Sequence, residues 1–361
     1  MDKPKSNVYF SSLKNSKMTS PLEKISRLFE RCAPSKMFSK GDLIAIKVHF
    51  GELGNTSFLR PIFLRPIIET LKSLETKPFL TDTNTLYIGM RTNSVDHFHN
   101  AMLNGFGYST LQVPVIIADG LRGEQSVSIQ VSQELLESVS IASEIAHSDG
   151  MVVVSHFKGH EVSGFGGAIK NMSMGCASRQ GKLQMHSVTR PVVDVSICSA
   201  CGKCQDNCQS KAIDIEKTAF ISTRCVGCSR CIAVCPEKAI GHNWDESASN
   251  IQKKMIEYAS GTIKALNSRL IFINILTSIS PACDCYKGND APITGDLGFM
   301  ASLDPIAIDR ASYEMVINST PHKSDPFREI YDYLDPEVQF RHAKKIGLGN
   351  ADYNLIDIDL Q

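Results

Sequence analysis

The sequence contains two short runs in which cysteines recur at a fixed spacing. The first is CSACGKCQDNC, from Cys198 to Cys208, and the second is CVGCSRCIAVCP, from Cys225 to Pro236. Both have the spacing C-x2-C-x2-C-x3-C, and together they place eight of the twelve cysteines within the 38 residues from Cys198 to Cys235. So many thiols in so short a segment are expected to be bonded to one another or to metal, and this choice constrains the fold more than any other feature of the chain.

The rest of the sequence favours metal over disulfides. Lysine plus arginine and aspartate plus glutamate both number 38, so the net charge is zero and neither nucleic acid nor a membrane surface is expected as a partner. The opening residues, MDKPKSNVYFSSLKNSK, lack the apolar stretch of a secretion signal, and no later segment approaches the ~20 apolar residues of a membrane span. We therefore expect a soluble cytoplasmic protein, and in the reducing cytosol thiols bind metal more readily than they form disulfides.

Residues 196–241, which contain both runs, resemble the bacterial two-cluster ferredoxins. In such modules three thiolates of one C-x2-C-x2-C turn bind three irons of a 4Fe–4S cube, and the fourth iron takes the last cysteine of the opposite run. The resemblance therefore implies two clusters with exchanged ligands. The first would be held by Cys198, Cys201, Cys204 and Cys235, and the second by Cys225, Cys228, Cys231 and Cys208.

The two runs differ in one detail. Pro236 gives the second run the cysteine-proline ending typical of these ferredoxins, whereas Gln209 stands at the matching place in the first run. This difference affects the rigidity of the loop more than ligation, since proline is not a ligand. Structural zinc is the alternative, although zinc sites favour paired C-x2-C halves with longer spacers and do not need four cysteines in each run.

Outside the cysteine segment, short β-branched strands alternate with amphipathic helices. Strands are predicted at residues 41–52, 77–85, 113–120, 149–160 and 269–276, and helices from residue 66 onward, at 92–104, at 251–267 and at 305–318. This alternation predicts an α/β fold with mixed, largely parallel sheets and flanking helices, into which a small α+β ferredoxin-like module is inserted. The expected division is a host domain at 1–190, the two-cluster module at 191–242 and the returning part of the host at 243–361.

Polar residues collect at the ends of the predicted strands, where parallel sheets bind their ligands. They are His49, Asp82, Asp119, His156 and His160. A neutral imidazole suits either a catalytic base or a metal ligand, so we expect His49, His156 and His160 to be catalytic, with a purely structural histidine as the alternative for His49. Asp304, which precedes Pro305 at a predicted helix start, is expected to be an N-cap.

A Gly-rich turn, SHFKGHEVSGFGGAIKNMSMGC, follows the fourth predicted strand. Gly164, Gly166 and Gly167 would let the backbone approach a ligand, and the amides that begin the next helix favour anions. We therefore expect a phosphate, nucleotide or carboxylate at this turn, close to Lys170. A turn that serves packing alone is the alternative.

Four further segments resemble the protein family known as domain of unknown function 362. They are KVHFGELGN, TDTNTLYIGMR, GHEVSGFGGAIKNMSMG and DLGFMASLDPIAIDRA, and the match extends over most of residues 40–320. Members of this family often carry a ferredoxin module at the same place. The resemblance therefore implies the host fold and the number of clusters, and it implies no particular reaction.

The Gly-rich turn also resembles, more faintly, that of the nickel-pincer lactate racemases, in which one histidine precedes a G-aromatic-S-G-G-x-K segment and another follows it. His160 lies ten residues before Lys170, and His186 lies sixteen residues after it. By this resemblance Lys170 would tether a pyridinium-derived cofactor, His186 would ligate nickel and His160 would transfer protons. Residues 166–168 are Gly-Gly-Ala where the racemases have Ser-Gly-Gly, so the resemblance implies a shared fold more than a shared cofactor.

The segment PACDCYKG places Cys283 and Cys285 after the strand at 269–276. Two alternating thiolates can bind one soft metal ion or face a cluster, and with His186 they make a possible third metal site. Cys32 and Cys176 are expected to be buried apolar side chains.

The leading interpretation is an iron–sulfur oxidoreductase in which two 4Fe–4S clusters deliver electrons to a small anionic substrate or cofactor. The site would contain His49, His156, His160 and Lys170, and a redox partner protein would supply the electrons. Two alternatives stay open: an electron carrier or maturation protein that only docks a partner enzyme, and a redox-neutral, metal-dependent enzyme of racemase-like fold. Eight irons with no other metal, together with no cleft near Lys170, would favour the carrier, whereas a third metal held by His186 or by Cys283 and Cys285 would favour an enzyme.

Replacing Cys204 with serine should remove one cluster, since one iron then loses its thiolate ligand. We expect the iron content and the visible charge-transfer absorption of anaerobically purified protein to fall by about half, while Cys32→Ser, outside both runs, changes neither. Unchanged iron and absorption in Cys204→Ser would refute its assignment as a ligand. Zinc in place of iron would refute the cluster module itself.

Overall fold

A computed structural model describes residues 4–14, 19–87, 89–187, 190–225, 227–243, 245–321 and 323–360. Its strands are β1 (Ser6–Ser12), β2 (Leu43–Lys47), β3 (Lys77–Asp82), β4 (Val115–Ile117), β5 (Ser126–Gln130), β6 (Ser138–Ala142), β7 (Gly150–His156), β8 (Lys158–His160), β9 (Gly164–Gly166), β10 (Val192–Val193), β11 (Ile213–Ile215), β12 (Ala219–Ile221), β13 (Ile240–Gly241), β14 (Leu270–Leu276), β15 (Gly298–Ser302) and β16 (Tyr353–Asp357). Its helices are α1 (Pro21–Arg31), α2 (Pro34–Met37), α3 (Arg65–Ser73), α4 (Ser94–Leu103), α5 (Tyr108–Leu111), α6 (Ser143–Ala146), α7 (Ala168–Met172), α8 (Arg179–His186), α9 (Lys203–Asp206), α10 (Arg230–Val234), α11 (Ala248–Ala265), α12 (Pro305–Ser319), α13 (Pro326–Ile330) and α14 (Val338–Ile346). None of the helices within these residue ranges combines the length and the apolar character that crossing a bilayer requires.

Eight strands form one central sheet, in the order β16-β1-β15-β14-β7-β2-β3-β4. All of them run parallel to one another except β15, which is antiparallel to its neighbours β1 and β14. The predicted α/β class, with a largely parallel sheet and flanking helices, is therefore confirmed. Asp304 is the N-cap of α12, as expected, since its side chain accepts hydrogen bonds from the amides of Ile306 and Ala307.

The central strands are covered by helices on both faces. β7 and β14 are buried along their whole length, as their runs of apolar and β-branched residues predict for the middle of a parallel sheet. Successive side chains of β7 alternate between the two faces. Met151 and Val153 join the core that includes α7, α11, α12 and α14, whereas Val152 and Val154 join the core that includes α1 and α3. Both faces of these two strands are therefore covered, so a ligand is expected at the strand ends.

The strand order reverses between β2 and β7. From β2 the chain continues to β3 and β4 on one side, and it later returns to β7 on the other side of β2. Loops that leave the carboxyl ends of two such strands diverge and open a crevice between them. His49 follows β2 and His156 ends β7, so both histidines lie at this crevice.

The two cysteine runs lie in a small unit between α8 and α11. Val192 pairs with Gly241 and Val193 with Ile240, so the start and the end of the unit lie side by side. β11 and β12 form an antiparallel hairpin between the runs. The β10–β13 pair lies within the predicted module of residues 191–242, and the division of the chain into domains stays a prediction.

The loop after β14 packs directly on β8 because residue 159 has no side chain. The Gly159 amide donates a hydrogen bond to Ser280 O at 2.8 Å, and a Cβ at position 159 would lie 1.9 Å from Pro281 O. This contact fixes how the segment that contains Cys283 and Cys285 approaches His160.

Gly159→Ala should lower the free energy of unfolding by about 1–3 kcal/mol, since its methyl group forces the loop away from β8. Gly288→Ala, in the same loop, is the matched control because a Cβ there would meet no atom within 4 Å. Chemical unfolding of both variants measures the difference. Equal stabilities of the two variants would contradict the close packing.

Candidate functional site

A cavity of about 660 Å³ opens at the carboxyl ends of β2, β3 and β7. It lies where the strand order reverses, which is where open α/β sheets bind ligands, and its size suits a small molecule. Its wall carries six cationic side chains, Lys47, Arg91, Lys158, Lys170, Lys182 and Lys287, and three carboxylates, Glu52, Asp82 and Glu161. This excess of positive charge favours an anionic ligand.

Most of the residues predicted for a site in the host line this cavity. They are His49, His156, His160, Lys170, His186, Gly167 and Cys285. Cys283 is only 1% exposed, and its thiol contacts Lys170. The cleft near Lys170, whose absence would have favoured a carrier, is therefore present.

His156 is held at both ring nitrogens. Nδ1 lies 2.8 Å from Asp284 Oδ1, and Nε2 lies 2.9 Å from Thr277 O. Both partners are hydrogen-bond acceptors, so the ring is held between the Asp284 carboxylate and the Thr277 carbonyl. Burial alone would raise the pKa of Asp284, but His156 and Lys158, whose Nζ lies 3.4 Å from Oδ2, lower that pKa below its ordinary value. His156 therefore positions the loop after β14 and offers no free lone pair to a substrate.

His49 faces a buried arginine. Its Nε2 lies 2.8 Å from Arg91 Nη1, and because a guanidinium only donates, this nitrogen is an acceptor. Burial and the charge of Arg91 lower the pKa of His49 well below its ordinary value, which keeps the ring neutral. Arg91 is fixed in turn by Glu52, whose Oε2 lies 3.1 Å from Nε, and by the Tyr87 hydroxyl. One wall of the cavity therefore presents a neutral imidazole beside an immobilised cation.

His160 and Lys170 converge on Cys283. Nδ1 of His160 accepts hydrogen bonds from the backbone amides of Val162 at 3.2 Å and Ser163 at 3.3 Å, which leaves the ring proton on Nε2. Lys170 Nζ lies 3.5 Å from Cys283 Sγ. A hydrogen bond from Cys285, with Lys170 and His160, holds the pKa of Cys283 well below that of a free thiol in spite of burial. Burial disfavours the charged form of Lys170 and by itself would lower its pKa. The nearby Cys283 and Cys285 outweigh this effect, so the pKa of Lys170 is raised.

Lys182, on α8, is a buried amine in an unusual environment. Its Nζ donates to Thr83 Oγ1 and Ala177 O, both at 2.6 Å. No carboxylate of the described residues lies within ion-pair distance of it. Burial lowers the pKa of Lys182 to about 8, although Asp119 and Asp82 oppose this effect. Lys182 can therefore hold or release a proton close to neutral pH.

The anion site predicted at the Gly-rich turn is wrong for the start of α7. The amides of Ala168 and Ile169, which were expected to bind a ligand, donate to the buried carboxylate of Asp309 at 2.7 and 2.8 Å. Because these donors are already used, an anion cannot take their place. Gly164 and Gly166 serve close packing, since a Cβ would lie 2.8 Å from Pro336 Cβ at the former and 3.2 Å from Lys170 Cδ at the latter.

The four cysteines predicted for the first cluster line one small pocket of the module. They are Cys198, Cys201, Cys204 and Cys235. Amides point at two of these sulfurs: Ala219 N lies 3.4 Å from Cys198 Sγ, and Ala239 N lies 3.2 Å from Cys235 Sγ. Backbone amides commonly donate such N–H···S bonds to the cysteine sulfurs that hold iron–sulfur clusters. Donor type and arrangement therefore fit a 4Fe–4S cube.

The second run brings Cys225, Cys228 and Cys231 together. Burial, which is the largest cause, and the neighbouring Cys228 and Cys225 together raise the pKa of Cys231 to about 12. Thiols that oppose one another's ionisation in this way need a cationic metal centre to become thiolates. Gly227 N lies 3.4 Å from Cys225 Sγ, and Ala212 N lies 3.2 Å from Cys208 Sγ. The exchanged position of Cys208 stays a prediction.

The second run contacts the host, since a Cβ at Gly227 would lie 3.6 Å from Leu183 Cδ2. Cys231 belongs to a hydrophobic cluster with Leu86 and Leu183. Leu86 lines the large cavity, and Leu183 lies on α8 directly after Lys182. Arg230 Nε lies 2.8 Å from Glu124 Oε2 and adds an ion pair across the same interface. One helix thus separates the second cysteine run from the cavity.

His186, Cys283 and Cys285 were predicted as a possible third metal site. Within the described ranges, no three side chains of histidine, cysteine, aspartate or glutamate come within reach of one metal ion. His186 lies on the cavity wall, with Nε2 3.2 Å from Met174 Sδ. The third metal site stays a prediction. Cys32 and Cys176 are buried, and burial raises the pKa of each thiol to about 12, which agrees with apolar side chains.

Sequence reasoning missed most of the charged wall of the cavity. The missed residues are Lys47, Glu52, Arg91, Lys158, Lys182 and Lys287. Lys47, Glu52 and Lys158 lie within a few residues of predicted strand ends, so the rule that found His49 and His156 could have included them. Arg91 and Lys182 carry no such signal, because only packing brings their segments to the cavity.

The short cysteine region has a recognisable relative. A ferredoxin from Pyrobaculum islandicum is 39% identical over 54 residues, which are 14% of this chain and 50% of that ferredoxin. The chain therefore spans half the length of the relative it matches. Together with the clustered cysteines, this similarity indicates a protein that binds iron–sulfur clusters. The family model described as Domain of unknown function (DUF362) matches residues 44–314, and the chain belongs to this family.

Two solved structures are similar to parts of this chain. The lactate racemase apoprotein from Thermoanaerobacterium thermosaccharolyticum matches with a TM-score of 0.39 and 13% identity, covering 77% of this chain and 53% of that one. A crystal structure of a protein from Thermotoga maritima matches with a TM-score of 0.37 and 11% identity, covering 89% and 58% of the two chains.

The Lys182 amine should titrate with a midpoint near pH 8, since burial without a carboxylate partner disfavours its charged form. Isotope-labelled methylation of the lysines, followed by magnetic resonance over a pH series, measures this midpoint. Lys182→Met identifies the signal by removing it. A midpoint at the ordinary lysine value would show that the amine is solvated or paired.

Proposed function

We propose that the protein is an iron–sulfur oxidoreductase that acts on a small anionic compound in the cavity between β2 and β7. One observation carries the proposal: the second cysteine run packs, through Leu183 and Leu86, against the wall of a cation-rich cavity. An electron-transfer module and a ligand site are therefore adjacent in one chain. This arrangement favours an enzyme over a carrier.

The module supplies ligands for two 4Fe–4S clusters. Cys198, Cys201, Cys204 and Cys235 would hold the first, and Cys225, Cys228, Cys231 and Cys208 the second. When bound, each cluster carries one electron at a time, so a pair matches the two electrons of most organic redox steps. Cys201 is exposed, so the first cluster would lie at the outer surface, where a redox partner protein can approach.

The charges of the cavity indicate how a substrate would bind. Lys47 is neutralised by Asp82 at 2.9 Å and Arg91 by Glu52 at 3.1 Å, whereas Lys170 and Lys182 have no carboxylate at ion-pair distance in the described chain. Lys170 already faces the sulfur of Cys283, so a substrate carboxylate or phosphate would supply the missing negative charge at Lys182. Lys182 would then orient the substrate and donate a proton, as its pKa of about 8 allows.

The test measures re-oxidation of the reduced protein. Anaerobic protein is reduced, and the visible absorption is followed while small carboxylates, small phosphates or their neutral analogues are added. We expect re-oxidation by a member of an anionic class and none by its neutral analogue. Lys182→Met should slow this reaction at least about tenfold, since a hydrogen bond to a charged group contributes about 1.5–3 kcal/mol.

The matched control is Lys36→Met, which removes the same charge from an exposed position on α2, outside the cavity wall. Cluster absorption before reduction should be equal in the two variants and in the wild type. Equal re-oxidation by anionic and neutral compounds, or equal rates for the two variants, would count against an anion site at Lys182.

A further inference from the structure

Two cysteines in the loop after β14 share one side of that loop. Cys285 lines the cavity, and Cys283 is 1% exposed behind the surface. The two side chains are joined by a hydrogen bond. They belong to neither ferredoxin-like run.

The residue between them is fixed on both its side chain and its backbone. Asp284 is fully buried, and its carboxylate is held by His156 at 2.8 Å and by Lys158 at 3.4 Å. Its carbonyl accepts a hydrogen bond from the Glu52 amide at 2.9 Å. The Tyr286 amide donates to Cys283 O at 3.1 Å and closes a turn over the same residues. The backbone that carries the two hydrogen-bonded thiols is therefore held in place.

Polar groups suited to a reactive thiol surround Cys283. Lys170 Nζ donates to its sulfur at 3.5 Å. His160 presents the ring proton on Nε2, because Nδ1 accepts from the backbone amides of Val162 and Ser163 at 3.2 and 3.3 Å. A hydrogen bond also joins His160 to Cys283. Inert buried cysteines such as Cys32 have no such partners. The surroundings of Cys283 resemble those of thiols that exchange disulfides.

We propose that Cys283 and Cys285 form a redox-active dithiol–disulfide pair at the edge of the cavity. Oxidation breaks the S–H bond of Cys285, forms one Sγ–Sγ bond between that sulfur and the Cys283 thiolate, and releases one proton and two electrons; reduction reverses each of these changes. Residues two apart in a chain can meet the Cα separation of about 4.4–6.8 Å that a disulfide needs. Solvent that enters the open cavity would take and return the proton.

The inference rests on the proposed function for its electron source, because two one-electron clusters would supply the electron pair. The pair would then store two electrons beside the substrate. The chemistry of the thiols themselves does not need the clusters, and they can be tested separately with dithiothreitol in its reduced and oxidised forms.

The experiment traps the pair in the complete protein. Anaerobic protein is equilibrated with mixtures of reduced and oxidised dithiothreitol, quenched with acid and alkylated. Trypsin releases residues 270–287, a peptide that contains only these two cysteines. In mass spectrometry the dithiol form of this peptide carries two alkyl groups. The disulfide form carries none and is lighter than the unlabelled dithiol by two hydrogen atoms. We expect the second form to replace the first reversibly as the mixture becomes more oxidising.

Variants distinguish the role of the two cysteines themselves from the role of the charged side chains around them. Cys285→Ser should abolish the unalkylated form. Lys170→Met should lower the ratio of dithiol to disulfide about tenfold in a given mixture, because the lost hydrogen bond favours the reduced sulfur. Lys182→Met, which removes a charge from the same cavity without contact to either thiol, is the matched control and should change the ratio less.

The proposal is overturned if both cysteines are alkylated in every mixture, or if Cys285→Ser releases a stoichiometric metal ion and no disulfide ever forms. If the proposed function is wrong, the experiments give a different outcome. In that case the clusters are absent or are not re-oxidised by any anion, while the peptide of residues 270–287 still interconverts reversibly.

Discussion

The cavity depends on the buried carboxylate of Asp284. His156 and Lys158 hold this carboxylate from β7 and β8, and the Glu52 amide holds the carbonyl of the same residue from the loop after β2. Buried ion pairs of this kind add little net stability compared with apolar packing, but breaking one strands a charge, so they fix geometry. Asp284 thereby connects the loop after β14 to the end of β7, to β8 and to the loop after β2, and these segments form one wall of the cavity.

Fold and charge act together around this wall. The reversal of strand order opens the crevice, and Gly159 lets the loop after β14 come close enough for Asp284 to reach its partners. On the other side, α8 contributes Lys182 to the cavity and Leu183 to the contact with the module. One short helix, α8, therefore contacts both the ligand site and the iron–sulfur region. A shift of this helix would change both.

Much of this arrangement could be predicted from the sequence. The β-branched runs identified β2, β3, β7 and β14, and the strand-end rule identified His49 and His156, because both signals are local. The flanking strands β1, β15 and β16 were missed, since their partners lie at opposite ends of the chain. The Gly-rich turn was wrongly predicted to bind an anion, because Asp309, which occupies its amides, is 140 residues away from Ile169. No local pattern shows such a partner.

The sequence by itself determined the spacing of the cysteines and the alternation of strands and helices, because ligand loops and periodic burial are set within a few residues of chain. Only the tertiary structure decided which charges meet. Lys182 and Thr83 are 99 residues apart, Lys170 and Cys283 are 113 apart, and His156 and Asp284 are 128 apart. Their encounters follow from the order of strands in the sheet, which depends on the whole chain. The chemistry of the cavity is therefore a property of the fold, whereas the binding of iron–sulfur clusters is already indicated in the sequence.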